Sequence, residues 1–198
     1  MDRAQGARAF RKAIGELEDS LRRCPDELWR ASMWHVPRTD PWVWPKLGVE
    51  PVPERTDEAI QIFSAVASIA YHCLWFLDFY ATTDPPGFRA PEYVRGGPEE
   101  MAWPGDGAAP LPPGVFPKEV LLRYLDYGRQ RVEQRIAHAT ATELAAVCPP
   151  GHPQAGKSLV ALLRVNLAHI REHARQISGF LLAQGVTSAA DPEPGPRG

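Results

Sequence analysis

Proline is the residue that most constrains how this chain can fold. The 198-residue sequence contains 21 prolines, and they occur in clusters rather than evenly. Proline lacks a backbone N–H and clashes with the preceding helical turn, so helix interiors exclude it. The clusters leave four proline-free stretches, each long enough for a helix of three or more turns: residues 1–24, 54–84, 118–148 and 154–191.

Apolar residues recur at helical spacing in all four stretches. In the first stretch they run from Ala9 to Leu21, and in the last from Leu159 to Leu181. The third carries the clearest single stripe, formed by Leu121, Leu125, Gly128, Val132 and Ile136. No segment alternates apolar and polar residues as a strand does. The sequence therefore predicts an all-α fold, and four amphipathic helices indicate a four-helix bundle.

Capping residues indicate where three of these helices begin or end. Thr56 is a suitable N-cap for the second helix, which we expect to run to about Thr82. Pro117 fits the first turn of the third helix. Ser158 precedes the fourth helix, and Gly185 suits the position after its last turn.

Two long connections complete the predicted architecture. Residues 33–55 and 84–116 are long for interhelical loops, and loops of this length usually cover a core or a functional site. Three tryptophans in the first loop, Trp34, Trp42 and Trp44, indicate that this loop is packed. A long second loop lets the second and third helices run parallel, which predicts up-down-down-up order.

Length and composition suggest one domain over residues 1–186 and a Pro/Gly-rich, disordered tail over residues 187–198. The net charge of −2 gives no electrostatic reason to bind nucleic acid. Three cysteines cannot all pair, and the first residues contain no apolar leader. We therefore expect a cytoplasmic protein.

Residues 60–77 form a stretch without Asp, Glu, Lys or Arg, as long as a short membrane span. The stretch contains Gln61, Ser64, Ser68 and His72, however, and acidic residues flank it. We expect a buried core helix and no membrane contact, with a membrane-spanning helix as the alternative.

Two histidines lie four residues apart on the apolar stripe of the predicted fourth helix. His169 and His173 therefore stack on one helical face. Asn166 and Gln176 extend them into a polar strip. Polar groups on a buried stripe cost free energy unless they are paired or bind something.

A third histidine, His72, faces the core from the second helix, on the same face as Ile69 and Phe76. Neutral imidazole is a good ligand for zinc, nickel, copper or iron. Three protein ligands leave a position for water or substrate, as in catalytic zinc sites. His72, His169 and His173 are thus candidate metal ligands. The alternative is that each is an ordinary hydrogen-bonded core residue. We expect the remaining histidines to be solvated: His35, His138 and His152.

In the order of its helices and histidines, the sequence is similar to the DinB-like superfamily. It has a lone histidine in the second helix, then a long loop, a third helix, and a fourth helix with the motif H-x-x-x-H-x-x-Q-I. The motif here is residues 169–177, and the second-helix match is residues 70–75. The resemblance covers roughly residues 5–185. It implies an up-down-down-up bundle, a metal site formed by the same three histidines and a homodimer, without DNA binding.

The resemblance also implies a class of chemistry. Some relatives use the metal to activate a low-molecular-weight thiol, such as bacillithiol or mycothiol, and then transfer it or isomerise a substrate through it. For this chain we expect a divalent zinc, nickel or iron ion and a small-molecule substrate. The abundance of Ala, Arg, Gly and Pro, typical of a GC-rich genome, favours mycothiol as the thiol. The candidate pocket-lining residues are Trp75, Asn166 and Gln176. No general base is evident, because Glu172 points away and Cys73 is expected in the core.

Two other functions stay open. Residues 151–158 match the P-loop pattern G-x-x-x-x-G-K-[ST], which would make the chain a nucleotide-binding protein. The helical, proline-ended segment before them is not the strand that a P-loop requires. The other alternative is a non-catalytic, stress-related module that binds a metal or an apolar ligand.

Overall fold

The computed structural model describes residues 2–37, 40, 56–83, 85–99 and 114–187. The regular secondary structure of these residues is helical, apart from two isolated β-bridges, which confirms the predicted all-α fold class. The α-helices are α1 (Arg3–Arg23), α2 (Asp57–Ile60), α3 (Val66–Phe79), α4 (Lys118–His138), α5 (Ala141–Ala145) and α6 (Leu159–Ala183). Short 3-10 helices occur at Asp26–Leu28, Gln61–Ser64 and Glu92–Val94.

Four of these helices form the bundle. Helix α1 packs against α4 and α6, and α3 packs against the same two helices, which places α1 and α3 diagonally across the core. The predicted apolar stripes face inward, and Leu17, Leu74, Leu125 and Ile170 are each fully buried. Burial of these stripes is the main favourable contribution to folding. The up-down-down-up order stays a prediction.

The second predicted helix is interrupted, so the expectation of one helix from Thr56 to Thr82 is wrong. Ala65 has extended backbone angles (φ −62°, ψ 146°) and separates a 3-10 turn from α3. The Val66 N–H donates to the carbonyl of Ala31 at 3.2 Å. Trp29 and Ala31, far away in the sequence, thus supply acceptors to the first turn of α3, for which the described residues provide no side-chain cap.

The predicted helix ends agree with the structure at the other positions. The side chains of Thr56 and Ser158 each accept a hydrogen bond from the backbone N–H three residues further on. Pro117 occupies the N-cap position, one residue before the first helical residue of α4. Gly185 follows the C-cap of α6 with φ +82°, a conformation that glycine adopts without a Cβ penalty.

The charge-free segment at residues 60–77 lies in the core, as predicted, and Leu77 is fully buried. Among the helices of the described residues, none has both the length and the hydropathy that crossing a bilayer requires. Trp42, Trp44 and all of the predicted tail except Thr187 lie outside the described residues.

A buried polar network joins α3, α4 and α6 within the core. The hydroxyl of Tyr124 donates to Oδ2 of Asp78 at 3.3 Å, and Nε of Arg131 donates to Oδ1 at 3.2 Å. Asn166 donates from Nδ2 to the carbonyl of Leu77 at 3.2 Å. Burial raises the pKa of Asp78 to about 6, although Arg131 and Tyr124 act against this shift. These contacts hold α3 against both neighbouring helices.

Candidate metal centre

Three imidazole rings meet between α3 and α6. His72 comes from α3, and His169 and His173 come from α6. The Nε2 atom of His169 lies 3.1 Å from Nε2 of His72 and 3.0 Å from Nε2 of His173. The three ligand atoms lie within 4.8 Å of one another. The structure therefore brings together the three histidines that the sequence analysis selected.

Helix geometry and one aromatic side chain position these rings. His169 and His173 are one helical turn apart, and their ring centroids are separated by 4.4 Å. Phe76, one turn after His72, packs against His72 at 5.0 Å and against His169 at 5.3 Å. Phe76 thus supports rings from both helices.

Two rings are oriented by hydrogen bonds on the side away from the cluster. Nδ1 of His72 lies 2.9 Å from Oε1 of Glu99, and Nδ1 of His173 lies 2.7 Å from Oε1 of Gln176. These oxygens are acceptors, so both Nδ1 atoms carry the proton and both Nε2 atoms present a lone pair to the cluster. Such outer hydrogen bonds are typical of metal-binding histidines.

The two rings from α6 are held in the neutral form. Burial and then the neighbouring histidines lower the pKa of His169 to about 3. Burial and the neighbouring His72 lower the pKa of His173 to about 4, although the hydrogen bond to Gln176 raises it. Neutral imidazole is the form that coordinates metal ions.

The donor set fits a divalent cation. The Nε2 lone pairs of His72 and His173 both point to Nε2 of His169. If that atom carries a proton, its single N–H group can donate well to only one of the two lone pairs. Nδ1 of His169 is buried and has no hydrogen-bond partner among the described residues. Either neutral tautomer of His169 therefore leaves a ring nitrogen unsatisfied. A cation held by the three Nε2 atoms would satisfy all three lone pairs.

A cavity of about 430 Å³ lies beside the three rings. Its polar wall includes His72, His173, Glu99 and Gln176. Its apolar wall includes Trp34, Val36, Phe63, Ile69 and Phe76. An apolar cavity with a few converging polar groups is typical of small-molecule sites.

One of the three predicted pocket-lining residues lies at this cavity. Gln176 lines it and holds His173. Trp75 is buried and stacks on Phe79 with centroids 4.9 Å apart, and it does not line the cavity. Asn166 is fully buried and belongs to the core network described above.

Glu99 is the residue at this site that the sequence analysis missed. It lies in the long second connection, which the sequence analysis did not assign to a helix. Its side chain is 5% exposed, and its second oxygen, Oε2, is buried and accepts no hydrogen bond from the residues that the structure describes. Glu172 is exposed and Cys73 is buried, as predicted, and burial raises the pKa of the Cys73 thiol.

The prediction for His152 is wrong, whereas His35 and His138 are exposed as expected. His152 is 6% exposed and stacks on Phe79 with centroids 5.1 Å apart. Its Nδ1 accepts the backbone N–H of Gln154 at 3.0 Å, and burial lowers its pKa. Because the aromatic partner lies on α3, the residues around His152 in the sequence do not predict this contact.

The P-loop-like segment at residues 151–158 does not have the geometry of a phosphate-binding loop. A phosphate cradle needs backbone N–H groups that point to the ligand. Here the N–H groups of residues 155–157 donate to carbonyls within residues 148–154. In the part of the chain that the structure describes, no strand precedes the segment. It is a connection that leads to the N-cap of α6.

Comparison with known proteins agrees with the arrangement of the helices and histidines. A model of the DinB superfamily matches residues 9–177, which include all three histidines. No curated protein and no solved structure gives a significant match. The match covers most of the sequence, and the chain belongs to the DinB superfamily.

Proposed function

We propose that this chain binds one divalent metal ion through His72, His169 and His173 and uses it in the transfer or isomerisation chemistry of a small thiol. The observation that carries the proposal is the convergence of three Nε2 atoms, two of them on rings whose low pKa keeps them neutral. Zinc, nickel and iron all suit imidazole ligands.

A metal ion with three neutral ligands keeps its double positive charge and lowers the pKa of a bound thiol or water. The chain's own residues set up the site around it. Glu99 and Gln176 hold two rings in the ligating orientation. Phe76 packs against His72 and His169 and supports both rings. The 430 Å³ cavity provides room for the thiol and its electrophile.

The biological setting is part of the same proposal. A thiol-dependent reaction requires a compartment that keeps the thiol reduced, which suits the cytoplasm. We expect mycothiol or a comparable small thiol as co-substrate, and a homodimer as the assembled form. The alternative function is a metal-binding module without turnover, since the same three histidines would serve it.

Turnover separates the two functions. We expect the zinc- or nickel-loaded protein to accelerate conjugation of mycothiol to an electrophile such as chlorodinitrobenzene. The metal-free protein and His72→Ala should show only the uncatalysed rate. A protein that holds the metal but gives no acceleration with any of a panel of thiols would be a binding module. A protein that takes up no metal would contradict both functions.

A further inference from the structure

A second cavity, of about 310 Å³, adjoins the cavity beside the histidines. It lies between α3 and the residues that precede α4, and its lining includes Ala67, Tyr71, Arg95, Gly97 and Phe116. Ser68 and Pro98 line both cavities. A long molecule could therefore extend from the histidine cluster into the second cavity past two small or compact side chains.

The two cavities differ in charge. Among the described residues, the lining of the first contains the carboxyl groups of Asp40 and Glu99 and no Lys or Arg. The lining of the second, as far as it is formed by described residues, contains Arg95 and no Asp or Glu. Apart from a bound metal ion, the described residues of the first cavity therefore offer a ligand carboxylate no positive side chain, whereas Arg95 in the second cavity attracts it. The charge distribution thus orients an elongated anionic molecule.

Arg95 is positioned to bind such a group. Its Nε donates to the carbonyl of Ala90 at 3.1 Å, which holds the base of the guanidinium in place. Its two terminal nitrogens make no hydrogen bond to the described residues. Arginine presents its remaining N–H groups in a fork that matches a carboxylate.

Two aromatic rings form part of the wall of the second cavity. The Tyr71 ring stacks on Phe116 with centroids 4.9 Å apart. Gly97 lies so close to this ring that any side chain at position 97 would overlap it. A hydrocarbon or aromatic segment of a ligand fits such a surface.

We propose that the second cavity is a binding subsite for the far end of the ligand, and that it selects an elongated molecule carrying a carboxylate at that end. This inference rests on the proposed function, because the near end of the molecule is the group that meets the metal. For the proposed function it predicts that an elongated thiol with a terminal carboxylate binds more tightly than mycothiol, which carries no carboxylate.

Cobalt-loaded protein provides a direct test, because a thiol that binds cobalt gives a charge-transfer absorption band. The probes are mercaptooctanoate and mercaptooctanol, which differ only in the terminal group, with mercaptoethanol as a short probe of the metal site. We expect mercaptooctanoate to bind about fivefold more tightly than mercaptooctanol, the scale of a solvent-accessible ion pair. Arg95→Gln should abolish this preference. Arg89→Gln, an exposed arginine outside both linings, should retain it.

Equal affinity of the wild type for the two long thiols, or a preference that survives in Arg95→Gln, would overturn the subsite. A protein that takes up no cobalt would contradict the proposed function instead. The subsite is then tested on the metal-free protein by calorimetric titration with octanoate. Binding that is lost in Arg95→Gln supports the subsite, and wild-type octanoate binding that is absent or unchanged in the variant contradicts it.

Discussion

The Nδ1–H group of His72 donates to Oε1 of Glu99 at 2.9 Å, so a residue from the second long connection orients a ring on α3. Glu99 does not itself belong to the histidine cluster. Its contact fixes the ring so that Nε2 faces His169 and His173. The connection between helices is therefore part of the candidate metal centre.

We predict that Glu99→Ala weakens zinc affinity by about 10- to 100-fold, the usual effect of losing a second-sphere acceptor. Glu99→Gln should lose less zinc affinity than Glu99→Ala, because the amide oxygen of glutamine can still accept the hydrogen bond from His72. Titration against a chromophoric chelator measures both constants. Glu92→Ala, at an exposed glutamate of the same connection, is the matched control. Wild-type affinity in Glu99→Ala would show that the contact does not support the site.

The metal-free protein should lose stability as the pH falls below about 6.5. The pKa of His169 is lowered to about 3 and that of His173 to about 4, from an ordinary value of 6.5. Between these values the unfolded state binds more protons than the native state, so acid lowers the free energy of unfolding. Urea unfolding at pH 7 and pH 5 measures the difference, which the double variant His169→Gln/His173→Gln should reduce. If the double variant loses as much stability between pH 7 and pH 5 as the wild type, His169 and His173 are not the source of this pH dependence.

Asp78 should have the opposite effect on the pH dependence of stability over part of this pH range. Its pKa is raised to about 6 from 3.8, so the native state binds the extra proton between these values. This group therefore stabilises the fold as the pH falls from about 6 to 4. We predict that Asp78→Asn folds and that its stability falls more steeply with acid than that of the wild type. Parallel unfolding curves over this range would contradict the prediction.

Asn166 should be a structural residue and not a pocket residue. It is fully buried and donates to the carbonyl of Leu77. We predict that Asn166→Ala lowers the free energy of unfolding by about 2 kcal/mol, because it leaves a buried carbonyl unpaired and a small void. Zinc stoichiometry should stay at the wild-type value. Lost metal binding with unchanged stability would place Asn166 in the metal site instead.

The lysine of the P-loop-like segment should have no role in nucleotide binding. The N–H groups of residues 155–157 are already engaged within their own loop. We predict that calorimetric titration with magnesium and ATP gives no binding heat for the wild type or for Lys157→Ala. Measurable binding by the wild type that Lys157→Ala abolishes would restore the nucleotide-binding hypothesis.

The parts of this fold that were predictable depend on helical period. The stripes of the four long helices and the placement of His72, His169 and His173 all follow from residue spacing along a helix. Two features depend instead on contacts between distant segments. The break at Ala65 depends on the carbonyl of Ala31, and the burial of His152 depends on the ring of Phe79. No local pattern encodes such contacts.

Glu99 illustrates the same limit at the site itself. A carboxylate that orients a metal-binding histidine has no required spacing from it in the sequence, because only its position in space matters. The nearby glutamate at position 172, between two of the histidines in sequence, is exposed. Helical spacing therefore located Gln176, which holds His173, but it could not locate Glu99, which holds His72.

Metal content tests the central claim most directly. Purified wild type, His72→Ala and the control His138→Ala, an exposed histidine at the end of α4, would be incubated with zinc or nickel, desalted and analysed by inductively coupled plasma mass spectrometry. The account predicts about one ion per chain in the wild type and the control, and almost none in His72→Ala. A wild type that retains no zinc or nickel, or a His72→Ala variant that retains as much as the wild type, would contradict it.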